Sequence, residues 1–180
     1  NGFLLLASYF FYGCWDWRFL FLLIFISLFN YFIGLRIGAE GPEKRKKTWL
    51  ITGLILNLGV LGFFKYFNFF IESFVDLVSL FGYDLKGTAI NVILPLGISF
   101  YTFLSLSYLL DINKKKLAAD KNIIHVLLSL SFFPIILAGP IQRPATLLPQ
   151  IREARIFNYD LAVDGLRQIL WGLFVKIAVA

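Results

Sequence analysis

An all-α, polytopic integral membrane protein is the fold class this sequence predicts, on three observations. Hydrophobic residues make up 59% of the 180 residues and charged residues only 16%, against roughly 45–50% apolar and about 25% charged in an ordinary soluble domain. The apolar residues fall in long continuous runs. The basic residues behind the net charge of +6 gather in short loops between those runs. That distribution follows the positive-inside rule rather than the basic face of a nucleic-acid binder. A soluble core cannot absorb the apolar excess, because a chain this short leaves much of its surface in water. The expectation is one membrane domain over 1–180, a bundle of transmembrane and re-entrant helices. The sequence starts at Asn1, contains no Met and stops inside an apolar run at Ala180, so it reads as a piece of a longer chain. One cysteine, Cys14, and one histidine, His125, exclude a disulfide framework and Cys- or His-rich metal sites within the segment.

The first predicted membrane helix covers 3–14. Trp15, Asp16, Trp17 and Arg18 then form a polar, aromatic turn suited to the membrane interface. The second covers 19–35, about 25 Å of helix against a hydrocarbon core of ~30 Å. The loop 36–48 carries Arg36, Lys44, Arg45, Lys46 and Lys47 with a Gly41-Pro42 break, so it is placed in the cytoplasm. The third helix covers 49–70. Fourteen strongly apolar residues lie between Leu50 and Ile71, each contributing about −0.3 to −0.6 kcal/mol, which outweighs about +2.5 to +3.5 kcal/mol for Lys65 even at the bilayer centre. Residues 82–87 read as an external loop.

The fourth helix covers 92–110 and opens near Pro95. The loop 111–122 holds Lys114, Lys115, Lys116 and Lys121, and counting crossings returns it to the cytoplasm. The fifth run, 123–138, is short and contains Pro134. A full span would carry the arginines after it to the outer side, so a broken or re-entrant helix is expected, buried by protein where its backbone is irregular. A last helix begins near residue 160 and runs to 180.

Several polar residues stand out. At 100° per residue, Asn57, Lys65, Asn68, Glu72 and Asp76 share one arc of the third helix. They either line a wet cavity or tunnel, or Glu72 and Asp76 simply lie at the interface. Gly97, Tyr101, Ser105, Tyr108 and Asp111 share a face of the fourth, where hydroxyls can orient a ligand or bond a neighbouring helix. His125, with Ser129 one turn on, has a titration range suited to a general base, but a lone histidine is more often structural. Gly139-Pro140 followed by Gln142 and Arg143 places a cation at a kinked backbone. Its partner is a substrate phosphate or carboxylate, or else Glu153 or Asp111.

The order of motifs resembles one family. It is carried by Leu94-Pro95-Leu96-Gly97-Ile98-Ser99-Phe100-Tyr101-Thr102-Phe103 with Leu106-Ser107-Tyr108 and Asp111; by Ala7-Ser8-Tyr9-Phe10-Phe11-Tyr12 with Trp15-Asp16-Trp17-Arg18; by Phe63-Phe64-Lys65-Tyr66-Phe67-Asn68-Phe69-Phe70; and by Ser131-Phe132-Phe133-Pro134 with Ala138-Gly139-Pro140-Ile141. Gly165-Leu166-Arg167 and Trp171-Gly172-Leu173-Phe174 also fit. These motifs resemble the membrane-bound O-acyltransferase family, and within it the branch of the alginate O-acetyltransferase membrane subunit.

The resemblance implies a multi-helix enzyme that moves an acyl group from a cytoplasmic donor, acetyl-CoA or another, to a hydroxyl of an exported polysaccharide. The partners it implies are the lipid bilayer, the polysaccharide and extracytoplasmic acetyltransferase proteins, with no nucleic acid, no bound cofactor and no metal. It places the essential histidine beyond Ala180, so no catalytic residue is assigned here and His125 does not inherit that role. The candidate tunnel or substrate contacts are Lys65, Asn68, Tyr101, Asp111, Gln142 and Arg143. Leu104 stands where many relatives carry Gln. A sibling transferring D-alanine to teichoic acid, or a transporter whose permeation path the polar stripe lines, are the other readings.

Overall fold

The computed structural model describes residues 1–79, 92–138, 142–154 and 157–179. The described residues form helices α1 (Gly2–Trp15), α2 (Trp17–Gly38), α3 (Glu43–Ser79), α4 (Ile98–Asn113), α5 (Ile123–Ser131), α6 (Phe133–Ala138), α7 (Pro144–Arg152) and α8 (Tyr159–Phe174). A π-helical turn over Val175–Val179 follows α8. No strand is present among the described residues.

Two of these helices, α2 and α3, are long and apolar enough to cross a membrane. The 22 residues of α2 give about 33 Å and the 37 of α3 about 55 Å at 1.5 Å per residue. Helix α3 therefore starts earlier than the apolar run that marks it, inside the basic loop at Glu43, and continues beyond it to Ser79. The first extension is polar and the second mixes Glu72 and Asp76 with Phe74, Val75 and Leu77, and helical hydrogen bonding carries both without a break. Phe21, Phe25, Phe32, Ile55, Phe69 and Phe70 project outward from α2 and α3 and are more than half exposed. Exposed apolar surface on this scale marks a lipid or protein environment rather than water.

The turn between α1 and α2 is fixed by one side chain. Asp16 accepts from the backbone N–H of Arg18 at 2.9 Å and from its guanidinium at 2.8 and 3.1 Å, capping α2. Those hydrogen bonds hold the Asp16 carboxyl below its ordinary range. Trp15 stacks on Phe19 with ring centroids 5.6 Å apart.

Helix α4 is the centre of the fold. It packs against α2, α3 and α7, and Tyr101, Leu104, Tyr108 and Leu109 are at most 1% exposed. The sequence expectation began this helix at 92, but residues 92–97 are not helical. Pro95 cannot donate a backbone hydrogen bond, and Gly97 adopts a left-handed φ of 67° just before Ile98. A Cβ at Gly97 would collide with Ile136. Close approach also fixes Gly34 on α2, where a Cβ would lie 2.7 Å from the Tyr108 ring.

The fifth run is broken. Helix α5 ends at Ser131, and Phe132 is extended with ψ 109°. The ring of Pro134 would clash with the carbonyl of Leu130 in a continuous helix. Phe132 instead accepts from the N–H groups of Ile135 and Ile136 and starts α6. With 9 residues, α5 is about 13 Å long and cannot cross the hydrocarbon core alone. The stretch after it, read from sequence as merely polar, contains α7. Pro144 opens this helix at its first turn, and Leu147, Leu148 and Ile151 form its buried face. The Gly139-Pro140 kink lies outside the described residues. No side chain of α8 is buried.

Candidate functional site

The end of α4 builds a cleft lined by Asp111, Lys114, Lys116 and Arg143. Asp111 is 7% exposed, and its Oδ2 meets no hydrogen-bond partner among the described residues. Just beyond it the chain reverses. The backbone N–H groups of Lys116 and Leu117 donate to the Asp111 carbonyl at 2.9 and 3.2 Å, and Lys115 takes a left-handed φ of 57°. This tight turn brings Lys114 and Lys116 to the cleft that Asp111 lines. Arg143, the cap residue of α7, closes the opposite side, giving an open cleft of about 360 Å³. Phe103, Leu106 and Leu110 form its apolar wall.

Three cations face one carboxylate there, yet neither Asp111 nor Glu153 comes within ion-pair distance of Arg143. The cleft thus offers net positive charge to an anion and one buried acceptor to a hydroxyl or amide beside it. The helix face expected from sequence is buried at Tyr101, Ser105, Tyr108 and Asp111. The hydroxyls of Thr102 and Ser105 are unpartnered among the described residues. Leu104 is an ordinary core residue, 1% exposed.

The other candidates lie elsewhere, and the single stripe expected on α3 divides into three settings. Asn57 is fully buried and exchanges side-chain hydrogen bonds with Asn30 of α2 at 2.8 and 3.1 Å. Asn68 grips the backbone of Val92 in both directions, each at 2.8 Å. Lys65, Glu72 and Asp76 are exposed, and the Lys65 ammonium lies 5.7 Å from the Tyr66 ring centre. Tyr101 sits in the core cluster of Tyr12, Leu23 and Ile136. Gln142 is exposed beside Arg143 and does not line the cleft.

His125 has a partner that the sequence did not reveal. Its Nδ1 lies 3.2 Å from Asp120. The same carboxylate accepts from Arg152 Nε at 2.7 Å and from the Asn122 N–H at 2.9 Å. Burial pushes the Asp120 pKa up, but the Asn122 and Arg152 hydrogen bonds and the Arg152 charge outweigh it and hold the carboxyl below its ordinary 3.8. The arrangement ties α7 to the loop before α5, which accounts for His125 structurally. Among the described residues no group of three His, Cys, Asp or Glu side chains could hold a metal ion.

Comparison with known proteins adds what geometry alone does not. The chain is 39% identical over its whole length to a Pseudomonas aeruginosa protein named "Probable alginate O-acetylase AlgI", and covers 34% of that protein. It is 36% identical over its whole length to the protein of the same name from Azotobacter vinelandii, covering 36% of it. It is 35% identical, over 98% of its length, to a Helicobacter pylori protein named "Peptidoglycan O-acetyltransferase", of which it covers 38%. The chain thus spans about a third of the length of the curated relatives it matches. No family model matches it. No solved structure matches it. With identity at this level from end to end, and with the four ordered motifs read from its sequence, the chain belongs to the membrane-bound O-acyltransferase family, in the branch of the alginate O-acetylases.

Proposed function

We propose that the protein containing this chain transfers acetyl groups from a cytoplasmic donor to hydroxyls of an exported polysaccharide. It does so as a multi-pass protein of the bacterial cytoplasmic membrane, with loops 36–48 and 111–122 in the cytoplasm. The observation that carries this reading is the 39% identity over the whole chain to a protein named as an alginate O-acetylase. The reaction breaks the acyl–sulfur bond of a thioester donor such as acetyl-CoA and forms an ester. A base removes the proton of the acceptor hydroxyl, the oxygen attacks the carbonyl carbon, and the thiol leaves with a proton.

The contribution of this segment is binding and containment. Lys114, Lys116 and Arg143 receive the anionic part of the donor, and Asp111 accepts a hydrogen bond from it. The core of α4, with Tyr101 and Ser105, forms the wall between the two sides of the membrane. Extracytoplasmic acetyltransferase proteins are the protein's partners on the polymer side of the membrane. No base is assigned to this segment, where His125 and Arg152 share Asp120 in a contact that ties α7 to the loop before α5. A second acceptor, peptidoglycan, is favoured by the Helicobacter pylori relative.

The test uses membranes from cells expressing the full-length gene, supplied with acetyl-CoA labelled in the acetyl group. Base-labile label is expected in isolated polysaccharide or peptidoglycan, and the fraction that carries it identifies the acceptor. Label in neither polymer, with the protein present in the membrane, overturns the reading.

A further inference from the structure

We infer that a second, separate cavity at the basic end of the bundle is a binding site for the headgroup of an anionic phospholipid. Its volume is about 550 Å³, within the range of small-ligand sites. Its walls come from the end of α2, the first turn of α3, and the end of α4 with the turn that follows. Lys46, Lys115 and Lys121 line it with one acid, Glu43. None of these four side chains makes an ion pair among the described residues, so the site carries a net positive charge that the fold leaves uncompensated.

Two of the lysines are placed by the backbone rather than by chance. Lys115 takes the left-handed conformation (φ 57°) between Lys114 and Lys116. Consecutive lysines thus serve opposite sides, with Lys114 and Lys116 in the Asp111 cleft and Lys115 here. The carbonyl of Lys121 is held by the Tyr31 hydroxyl at 2.8 Å.

The rest of the wall selects a lipid over a free anion. Leu35, Ile37, Ile112 and Leu117 provide an apolar lining that a phosphate ion cannot use and an acyl-glycerol can. The cavity opens where two helices of membrane-spanning length meet. Beside it Arg36 stacks over Trp49 at 5.7 Å, an aromatic at the level where headgroups lie. Basic pockets between membrane helices recognise phosphate-bearing headgroups by this combination.

The experiment uses full-length protein in mild detergent and native mass spectrometry with phosphatidylglycerol, phosphatidylcholine or soluble glycerol phosphate. Phosphatidylglycerol is expected to stay bound in clear preference to both. Each of Lys46→Gln, Lys115→Gln and Lys121→Gln should weaken it about fivefold, and the triple variant by on the order of a hundredfold. Gln at 115 leaves the backbone demand unchanged. The control Lys44→Gln/Arg45→Gln/Lys47→Gln removes the same charge from the same end of the bundle but not from the cavity wall, and should cost less than about twofold. Lys121→Gln alone decides the matter if the triple variant inserts poorly. Equal losses in the cavity and control variants mean diffuse attraction and overturn the site. Glycerol phosphate binding as well as the lipid overturns its assignment to a lipid.

Discussion

Replacing Asn57 with Leu tests whether polar pairing inside the bundle fixes how α2 meets α3. Asn57 and Asn30 are both fully buried. Each amide donates to its own helix, to Gly53 and Ile26, at 2.8 Å, and across to the other asparagine at 2.8 and 3.1 Å. Leu has the same number and branching of side-chain heavy atoms as Asn and is larger, so the substitution opens no cavity. It removes two interhelical hydrogen bonds of about 0.6 kcal/mol each and leaves the Asn30 carbonyl oxygen buried without its donor, at about 1–3 kcal/mol. The single change should therefore destabilise by about 2–4 kcal/mol, and Asn30→Leu by a similar amount. Replacing both removes the orphaned group along with its partner, so the double variant should lose less than about 1.5 kcal/mol, far below the sum of the singles. The assay is denaturant unfolding of the full-length protein in detergent, followed by helical circular dichroism. A double variant that loses the sum of the two singles to within about 0.5 kcal/mol would refute the pairing.

Four other residues give sharp expectations. Gly97→Ala should lower the melting temperature, because a left-handed alanine costs about 1–2 kcal/mol and its methyl would meet Ile136. Gly59→Ala should leave the melting temperature unchanged or raise it, since the site is helical with nothing within 4 Å. Arg143→Gln should reduce transfer about tenfold or more at unchanged protein level, chiefly through a higher KM for the donor; steady-state kinetics on membranes measures it. For the Asp120–Arg152 contact, the carboxyl is held below its ordinary 3.8. Its stabilisation is therefore complete above that value and lost as pH falls through the lower folded-state value. The melting deficit of Arg152→Gln seen at neutral pH should accordingly vanish well below 3.8.

The helical character of the chain was legible because burial in lipid or core demands long apolar runs, and 19–35 and 49–70 fall inside α2 and α3. Their ends were not legible. The extra turns of α3 are polar at Glu43 and mixed toward Ser79, where Glu72 and Asp76 interrupt the apolar run. Pro134 gave the break in the fifth run a visible cause, whereas α7 was overlooked although Leu147, Leu148 and Ile151 repeat at helical spacing. Arg152 and Gln150 among them disguised a buried face. In the site, Asp111 and Arg143 were singled out, and they share a cleft. The Asn30 partner of Asn57 and the Asp120 partner of His125 were missed, because a pairing between distant positions has no periodicity. Asn30 did leave a trace, as the one amide in the apolar run 19–35.

The central claim is acetyl transfer to an exported polymer, and deletion of the full-length gene tests it most directly. Ester-linked acetate is measured on the cell's exopolysaccharide and peptidoglycan, with the gene restored on a plasmid as control. The account predicts that base-labile acetate disappears from one of the two polymers and returns with the plasmid. Unchanged acetate on both would contradict it.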